Sequence, residues 1–494
     1  MQQPVATQQA ARPSAQSTLR SGAIGFPTAL ATSVGLIMSS PVILTVATGF
    51  SVGGSAFAAA MVIAFVMMLA QASTFAEAAA ILPTAGSVYD YLSCGIGRAC
   101  AIMGTLSAYM LVHAFAGTAE TILSGVMFVV NFESVNSALA GSNLSWTVGV
   151  GLVVLFGLLN AFGITAYSRA ELVLTVGMWA SLIGFGIAGL ATPPQVQLDG
   201  WFGQSTIGSD LPAILSLTGM AMFMFVGMEF VTPLAVELKN LSRIIPKAMA
   251  LGLTAVALCM FIYGAAIKRQ VENVAMNAAG TVHLLETPMA IPQFAERIMG
   301  PAGRIWFGLA FLFAGAATIN TLMAILPRIL YGMALDGALP RAFAYLHPRS
   351  KAPLLGIVVS VAIPCIHAWM IRGNLDSITH LVLAAVCAWG VAYLLITLSV
   401  VMLRIRRPDL QRPYRSPWFP LPQIVSSVGI VLAMGYIAPP GIDPRSIYLP
   451  FGLMLGVTAA YAIIWTVFVQ RVHPFRPVAV ETLLEQEHVR SRQP

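Results

Sequence analysis

Three groups of residues have the types and spacing to do chemistry, and each lies in an apolar stretch where a polar group needs a reason. Gly227-Met228-Glu229 falls inside the run from Met222 to Ala248. Hydrocarbon offers no partner to a charge or a freed backbone group, so a helix carrying Glu229 is expected to break there and face something polar. Ser39-Ser40-Pro41 interrupts GLIMSSPVILTVATG. Proline removes a backbone donor and crowds the preceding turn, so this stretch is either a break or an ordinary kink. His113 and Glu120 lie seven residues apart, which at about 3.6 residues per turn puts them on one helix face. They are either hydrogen-bonded structure or part of a site.

The chemistry open to these groups is the binding of a small polar solute and the carriage of protons. No GxSxG, HExxH or GxxxxGK[ST] pattern occurs, which argues against an enzyme or an ATP-driven pump. GFGIAG, from Gly184 to Gly189, fits GxGxxG but has no preceding strand, and its small residues suit close helix approach instead. Cys94, Cys100, Cys259, Cys365 and Cys387 form no CxxC pair, so no metal, disulfide or cofactor is expected.

The elements that must position these residues are membrane spans. Only 9% of the 494 residues are charged against 57% hydrophobic, and the mean hydropathy is +0.82. A soluble domain of this size could not cover its surface with so few charges. The net charge of +7 is read as a topology signal and not as a nucleic-acid footprint. Apolar runs long enough for a hydrocarbon core of about 30 Å fall at 27–48, 54–76, 102–130, 146–162 and 172–191. A second set falls at 211–236, 244–267, 305–326, 354–371 and 378–403, with two more at 421–437 and 447–469.

With the N-terminus inside, most of the 26 Lys and Arg collect on inner segments, notably 239–247, 328–351, 404–415 and 471–492. The expectation is an all-α polytopic protein of the plasma (inner) membrane with twelve transmembrane helices and both termini cytoplasmic. Residues 1–21 lack a signal-peptide pattern and read as a disordered arm. Residues 22–470 form the bundle and 471–494 a tail. The outer segment from Arg269 to Arg304, with Pro288, Pro292 and Pro301, reads as a cap over an external vestibule. Helices broken at corresponding positions of two halves would build a midplane site, and spans one and six are the candidates.

Four stretches carry a resemblance to a known family: ILPTAGSVYDYL from Ile81, FVGMEFVTPLAVELKNLSRIIPKA from Phe225, RILYGMALDGALP from Arg328 and RRPDLQRPYRSP from Arg406. In these the chain resembles the amino acid-polyamine-organocation family of transporters. The resemblance implies two inverted five-helix repeats (22–191 and 210–407) with broken helices 1 and 6, plus two peripheral helices at 420–470. It also implies a solute held between the broken helices. By that resemblance Met38, Ser39, Ser40 and Pro41 match the bend whose amides hold a substrate carboxylate at a helix N-terminus. Pro41 has no amide and the serines crowd the bend, which departs from the pattern.

Phe223 matches an aromatic gate position, with Phe225, Val226 and Gly227 beside it, and Glu229 matches an acidic position used for protonation or amine contact. Met178 stands where many proton-coupled members place a lysine. Exchange, or proton linkage through Glu229 or Glu120, is therefore expected before sodium dependence, while Thr318 and Thr321 remain candidates for a sodium site. Met220, Met222, Met224 and Met228 either line an adaptable pocket or fill the core. The expected partners are the lipid bilayer and a small amine-bearing solute. An amino acid or amine fits two midplane carboxylates with no lysine or arginine nearby.

Overall fold

The computed structural model describes residues 24–491 apart from 85, 133–143, 196, 199, 206–207, 239, 272–289, 375 and 440–441. The N-terminal arm and much of the expected external cap, Pro288 included, lie outside the described residues. Among the described residues the chain is helical, with no strand.

In chain order the helices are α1 (Phe26–Ile37), α2 (Ser40–Ile81), α3 (Val88–Ile96), α4 (Arg98–Asn131), α5 (Trp146–Ala161), α6 (Ile164–Ala191) and α7 (Leu211–Phe223). A 3₁₀ helix then covers Met228–Glu237. It is followed by α8 (Leu241–Gln270), α9 (Ala290–Leu335), α10 (Leu354–Met370), α11 (Asp376–Arg406), α12 (Leu421–Gly435), α13 (Arg445–Ile464) and α14 (Val480–Ser491). Among the described residues, eight helical stretches are long and apolar enough to cross a membrane, and α1, α5, α10 and α12 are shorter apolar helices. The chain is thus a multi-pass membrane protein.

Three boundaries differ from the hydropathy reading in ways that matter. The helix after the first break runs on through the second expected span as α2, bending at Gly54, whose φ of 48° is open to glycine. A side chain there would also strike the carbonyls of Gly203 and Gln204. Helix α9 starts at Ala290, not Ile305, so the end of the expected cap is helical, with its bend at Gly300. Helix α6 starts at Ile164, not Leu172, which brings Glu171 inside a span.

Both expected interruptions are present, and their local causes differ. Helix α1 ends at Ile37, Ser39 is extended, and Ser40 starts α2 with Pro41 in its first turn. A proline there costs no hydrogen bond, because first-turn amides have no partner within the helix. Ser39 caps the new helix, its hydroxyl accepting from Val42 N at 3.3 Å. Helix α7 ends at Phe223, and Gly227 takes the left-handed conformation (φ 99°) before the 3₁₀ helix. A Cβ at Gly227 would lie 2.7 Å from Leu36 of α1, so glycine here permits both the turn and the contact between the two broken elements.

At the end of the bundle that carries the N-terminus the two broken elements are tied together. Ile24 N donates to Glu237 O at 3.0 Å, and Ile24 and Leu238 form a parallel bridge. Arg328 Nε donates to Glu237 Oε2 at 2.7 Å with both side chains almost fully buried. Glu77 is likewise paired with Arg404 at 2.5 Å. The tail folds back onto the same end. Val478 N donates to Ser93 O, and Arg407 pairs with Glu481 at 2.6 Å, which holds the Glu481 carboxyl below the usual carboxylate range. That pair is complete at neutral pH and is lost only as the pH falls through the lowered value.

Arg328→Ala leaves the Glu237 carboxylate buried without its cation, a change worth about 3–5 kcal/mol. Thermal unfolding of the purified variant is expected to move sharply down, and an unchanged transition would contradict the buried pair.

Candidate functional site

The site is built outward from one amide. Ser40 opens α2 in the middle of the bundle, and its N–H has no acceptor in its own helix. Glu120 of α4 provides it, with Oε2 at 3.0 Å and Oε1 at 3.4 Å. Ser124, one turn along α4, donates to Oε1 at 2.6 Å, and its hydroxyl lies 3.3 Å from that of Ser40. A carboxylate therefore stands at the positive end of the α2 dipole, which favours an anion there. Among the described residues no ion pair with Lys or Arg involves Glu120.

Glu120 also faces a small internal cavity between the two breaks. Its wall includes Ile37 and Ser39 at the first break, Phe223 and Val226 at the second, Thr318 of α9 and Trp389 of α11. The free volume is about 30 Å³. That is room for one or two waters and far below the ~300 Å³ at which ligand pockets begin. At this size the cavity does not admit an amino acid. A wider groove of about 320 Å³ runs over the outside of the bundle, from Val66 to Trp418 and Val425. Its wall is mostly apolar, and none of its residues belongs to either break.

Glu229 follows the second break but sits one side chain back from the cavity. Trp389 Nε1 donates to its Oε1 at 3.0 Å and Tyr393 OH to its Oε2 at 2.6 Å, while Gly227 N donates to the same tyrosine oxygen at 3.1 Å. The indole of Trp389 stands between Glu229 and the cavity, its ring 6.4 Å from that of Phe223. Both carboxylates are thus held by neutral donors next to broken backbone, the arrangement expected of buried charge without a cation.

His113 and Glu120 do not converge. Two π-helical turns, Leu106–Leu111 and His113–Gly117, lie in α4, and the second falls between the two residues. Extra residues per turn rotate the later ones, so the helical stripe assumed from sequence fails. His113 Nε2 instead meets Ser360 O of α10 at 2.7 Å, and Val112, Ala116, Gly117 and Glu120 line the cavity.

The remaining expected residues divide similarly. Met38 is buried at the first break and Met178 in α6, away from the cavity wall. Phe225 packs edge-on against Phe65. The four methionines around the second break are buried in the core and do not line the cavity. Thr318 donates its hydroxyl to Gly35 O at 3.0 Å, and the Thr321 hydroxyl lies 3.5 Å from that of Tyr167.

Three polar residues were not singled out from sequence, two of them beside the second break and one, Glu171, off the cavity wall. Trp389 and Tyr393, four apart on α11, were hidden in a long apolar span although the pair is one helical turn of hydrogen-bonding aromatics. Glu171 was set outside its span by one residue. It is fully buried, accepts from Asn320 Nδ2 at 2.8 Å and from Thr175 at 3.2 Å, and lies against Gly35. Among the described residues no group of three or more His, Cys, Asp or Glu could hold a metal ion. What the arrangement offers is acceptors for an ammonium group or for protons.

Tyr393→Phe removes one donor from Glu229 and the acceptor of Gly227 N. A loss of about 1–3 kcal/mol in stability is expected, read by thermal unfolding, and a neutral effect would contradict this hydrogen-bond assignment.

Comparison with known proteins shows the family. The family profile described as amino acid permease matches residues 24–459. The branched-chain amino acid permease BcaP of Bacillus subtilis is 22% identical over 423 residues, covering 82% of this chain and 86% of the relative. The serine/threonine exchanger SteT of the same organism is 22% identical over 421 residues, covering 83% and 90%. The vacuolar cationic amino acid transporter 4 of Arabidopsis thaliana is 25% identical, covering 72% and 58%. Among solved structures, Mhp1, a nucleobase-cation-symport-1 family transporter in a closed conformation, aligns over 91% of this chain and 99% of its own with a TM-score of 0.53. At 16% identity that likeness concerns the fold alone. The chain belongs to the amino acid permease family, whose members named here are membrane transporters and not enzymes.

Proposed function

We propose that this protein is a secondary transporter that moves amino acids or related amines across the plasma membrane by alternating access. In this reading the bundle has twelve spans, with both termini cytoplasmic. Helices α1 to α6 and α7 to α11 form two inverted five-helix repeats, and α12 and α13 are peripheral. The paired breaks support it, because interrupted helices in corresponding places put loose backbone ends on either side of one cavity. The tie between Ile24, Glu237 and Arg328 then acts as the closed cytoplasmic gate.

One observation carries the substrate class: Glu120 already occupies the Ser40 amide and faces the cavity. A solute carboxylate seeking that helix terminus would have to displace it, whereas an ammonium group would find a carboxylate without a cation. Cationic amino acids, amines and diamines are therefore favoured over small neutral amino acids, with the apolar wall and Trp389 against the aliphatic stem. Proton linkage through Glu120 or Glu229 accompanies this reading. The Thr318 hydroxyl donates to Gly35 O and keeps its lone pairs, so a sodium site beside Thr321 is the alternative coupling route. The apolar lining gives one specific support to a second reading, a branched neutral amino acid whose carboxylate replaces that of Glu120 on Ser40.

Counterflow in proteoliposomes separates the two. Basic amino acids, neutral branched amino acids and dicarboxylates are each tested as competitors with the wild type, Glu120→Gln and Glu229→Gln. Glu120→Gln is expected to weaken competition by basic solutes roughly tenfold or more, the worth of a charge-assisted hydrogen bond. Best competition by a dicarboxylate, or unaltered basic competition in both variants, would overturn the assignment.

A further inference from the structure

The groove on the outside of the bundle owes its shape to side-chain size. Helices α8 and α12 both pack against α2, and the groove runs between them over small residues of α2, among them Ala70, Ser73 and Ala76. Pro246 of α8 stands on one side and Val425 of α12 on the other. Around it the same three helices expose Leu251, Val62 and Val428, so it opens on the apolar outer surface of the bundle. Its volume of about 320 Å³ is that of a ligand pocket. In a bilayer such a gap takes an apolar chain, because atoms lining an empty one forfeit their contacts.

One end of the groove is positively charged. The loop that closes it contributes Tyr414, Pro417 and Trp418 to the wall, and Arg415 is exposed among them. Lys247 follows the wall residue Pro246, with Arg243 one turn earlier on α8, and both are exposed. Among the described residues none of these three cations is in an ion pair. The nearby carboxylate of Glu77 is already shared by Arg404 and Arg412. Burial first, and then the charges of Arg404 and Arg415, hold the Arg412 guanidinium below its usual range against the pull of Glu77. Three guanidinium groups thus surround one carboxylate, which leaves the rim with an excess of positive charge.

Trp418 marks the level of this rim. Its backbone is left-handed (φ 50°), which is uncommon for a bulky residue, and its side chain is 81% exposed. An indole held outward beside basic residues at the end of a span is the pattern of a membrane–water interface.

We propose that this groove binds one anionic phospholipid, with an acyl chain over Ala70 and Ser73 between α8 and α12 and the phosphate at the rim with Arg415, Lys247 and Arg243. A basic recess between spans suits such a headgroup, and a lipid without net charge leaves the excess of the rim unanswered. The N-terminal arm does not complement the rim, since residues 1–21 include Arg12 and Arg20 and no acid. The site joins α8, which follows the segment of Glu237, to the loop that holds Glu77 through Ser416 N and Arg412. An occupied groove therefore braces the end of the bundle at which the broken elements are tied. Binding here does not depend on what the bundle transports.

Native mass spectrometry of the full chain in detergent, titrated with phosphatidylglycerol, phosphatidylcholine or glycerol phosphate, tests the assignment. One phosphatidylglycerol is expected to bind more tightly than phosphatidylcholine, and glycerol phosphate, which has the anion without the chains, does not displace it at equal concentration. Lys247→Gln and Arg415→Gln each weaken this binding about fivefold, and added salt weakens it as well. Arg476→Gln removes an exposed charge of the tail and leaves it unchanged. Phosphatidylglycerol with brominated acyl chains locates the lipid, quenching the tryptophan fluorescence of the wild type more than that of Trp418→Phe. Equal binding of the two lipids, full displacement by glycerol phosphate, or equal weakening by Arg476→Gln would overturn the site. Quenching that is the same with and without Trp418 would do so too.

Discussion

A helix that begins in the middle of a membrane must find an acceptor for its first amides, and most of this site follows from how that need is met. Hydrocarbon provides none, and each unpaired group there costs several kcal/mol. Ser40 N–H is answered by Glu120, which is steadied by Ser124 and presented by a helix with two π turns. The same need at the second break is met through Tyr393, which accepts from Gly227 N and donates to Glu229. Each break thus stabilises a carboxylate, and each carboxylate makes its break tolerable.

That reciprocity leaves negative groups near the centre of the bundle with neutral partners only. Positive side chains are kept to the ends, where Arg328 pairs with Glu237 and Arg404 with Glu77. The division has a functional meaning. In the proposed reading, ion pairs at the ends hold the closed form, while the interior acids receive an ammonium group or protons. Gly227 adds a packing constraint, because its lack of a side chain lets the second break sit against Leu36 of α1.

Much of this was legible in the sequence, and the rest was hidden for identifiable reasons. Pro41 and Gly227-Met228-Glu229 marked both breaks because proline, glycine and a lone acid have few uses inside an apolar run. The role of Pro41 was misplaced. It sits harmlessly in a first helical turn, and the amide that matters is that of Ser40. The stripe joining His113 to Glu120 failed because a fixed helical period cannot anticipate π turns. Glu171 escaped because a hydropathy window ends a span at its first charge, although a helix begins where its backbone bonds begin. Trp389 and Tyr393 were missed because partners of a buried acid come from distant positions that no local pattern connects.

In the proposed reading, an internal carboxylate, that of Glu120, stands where a substrate carboxylate would otherwise bind. The most direct measurement compares the binding of lysine with that of the diamine formed by removing its carboxyl group, using purified protein in nanodiscs. If Glu120 already satisfies Ser40, the diamine binds at least as tightly as lysine, and Glu120→Gln weakens both. Binding that disappears with the carboxyl group, and survives the loss of the Glu120 charge, would contradict the account.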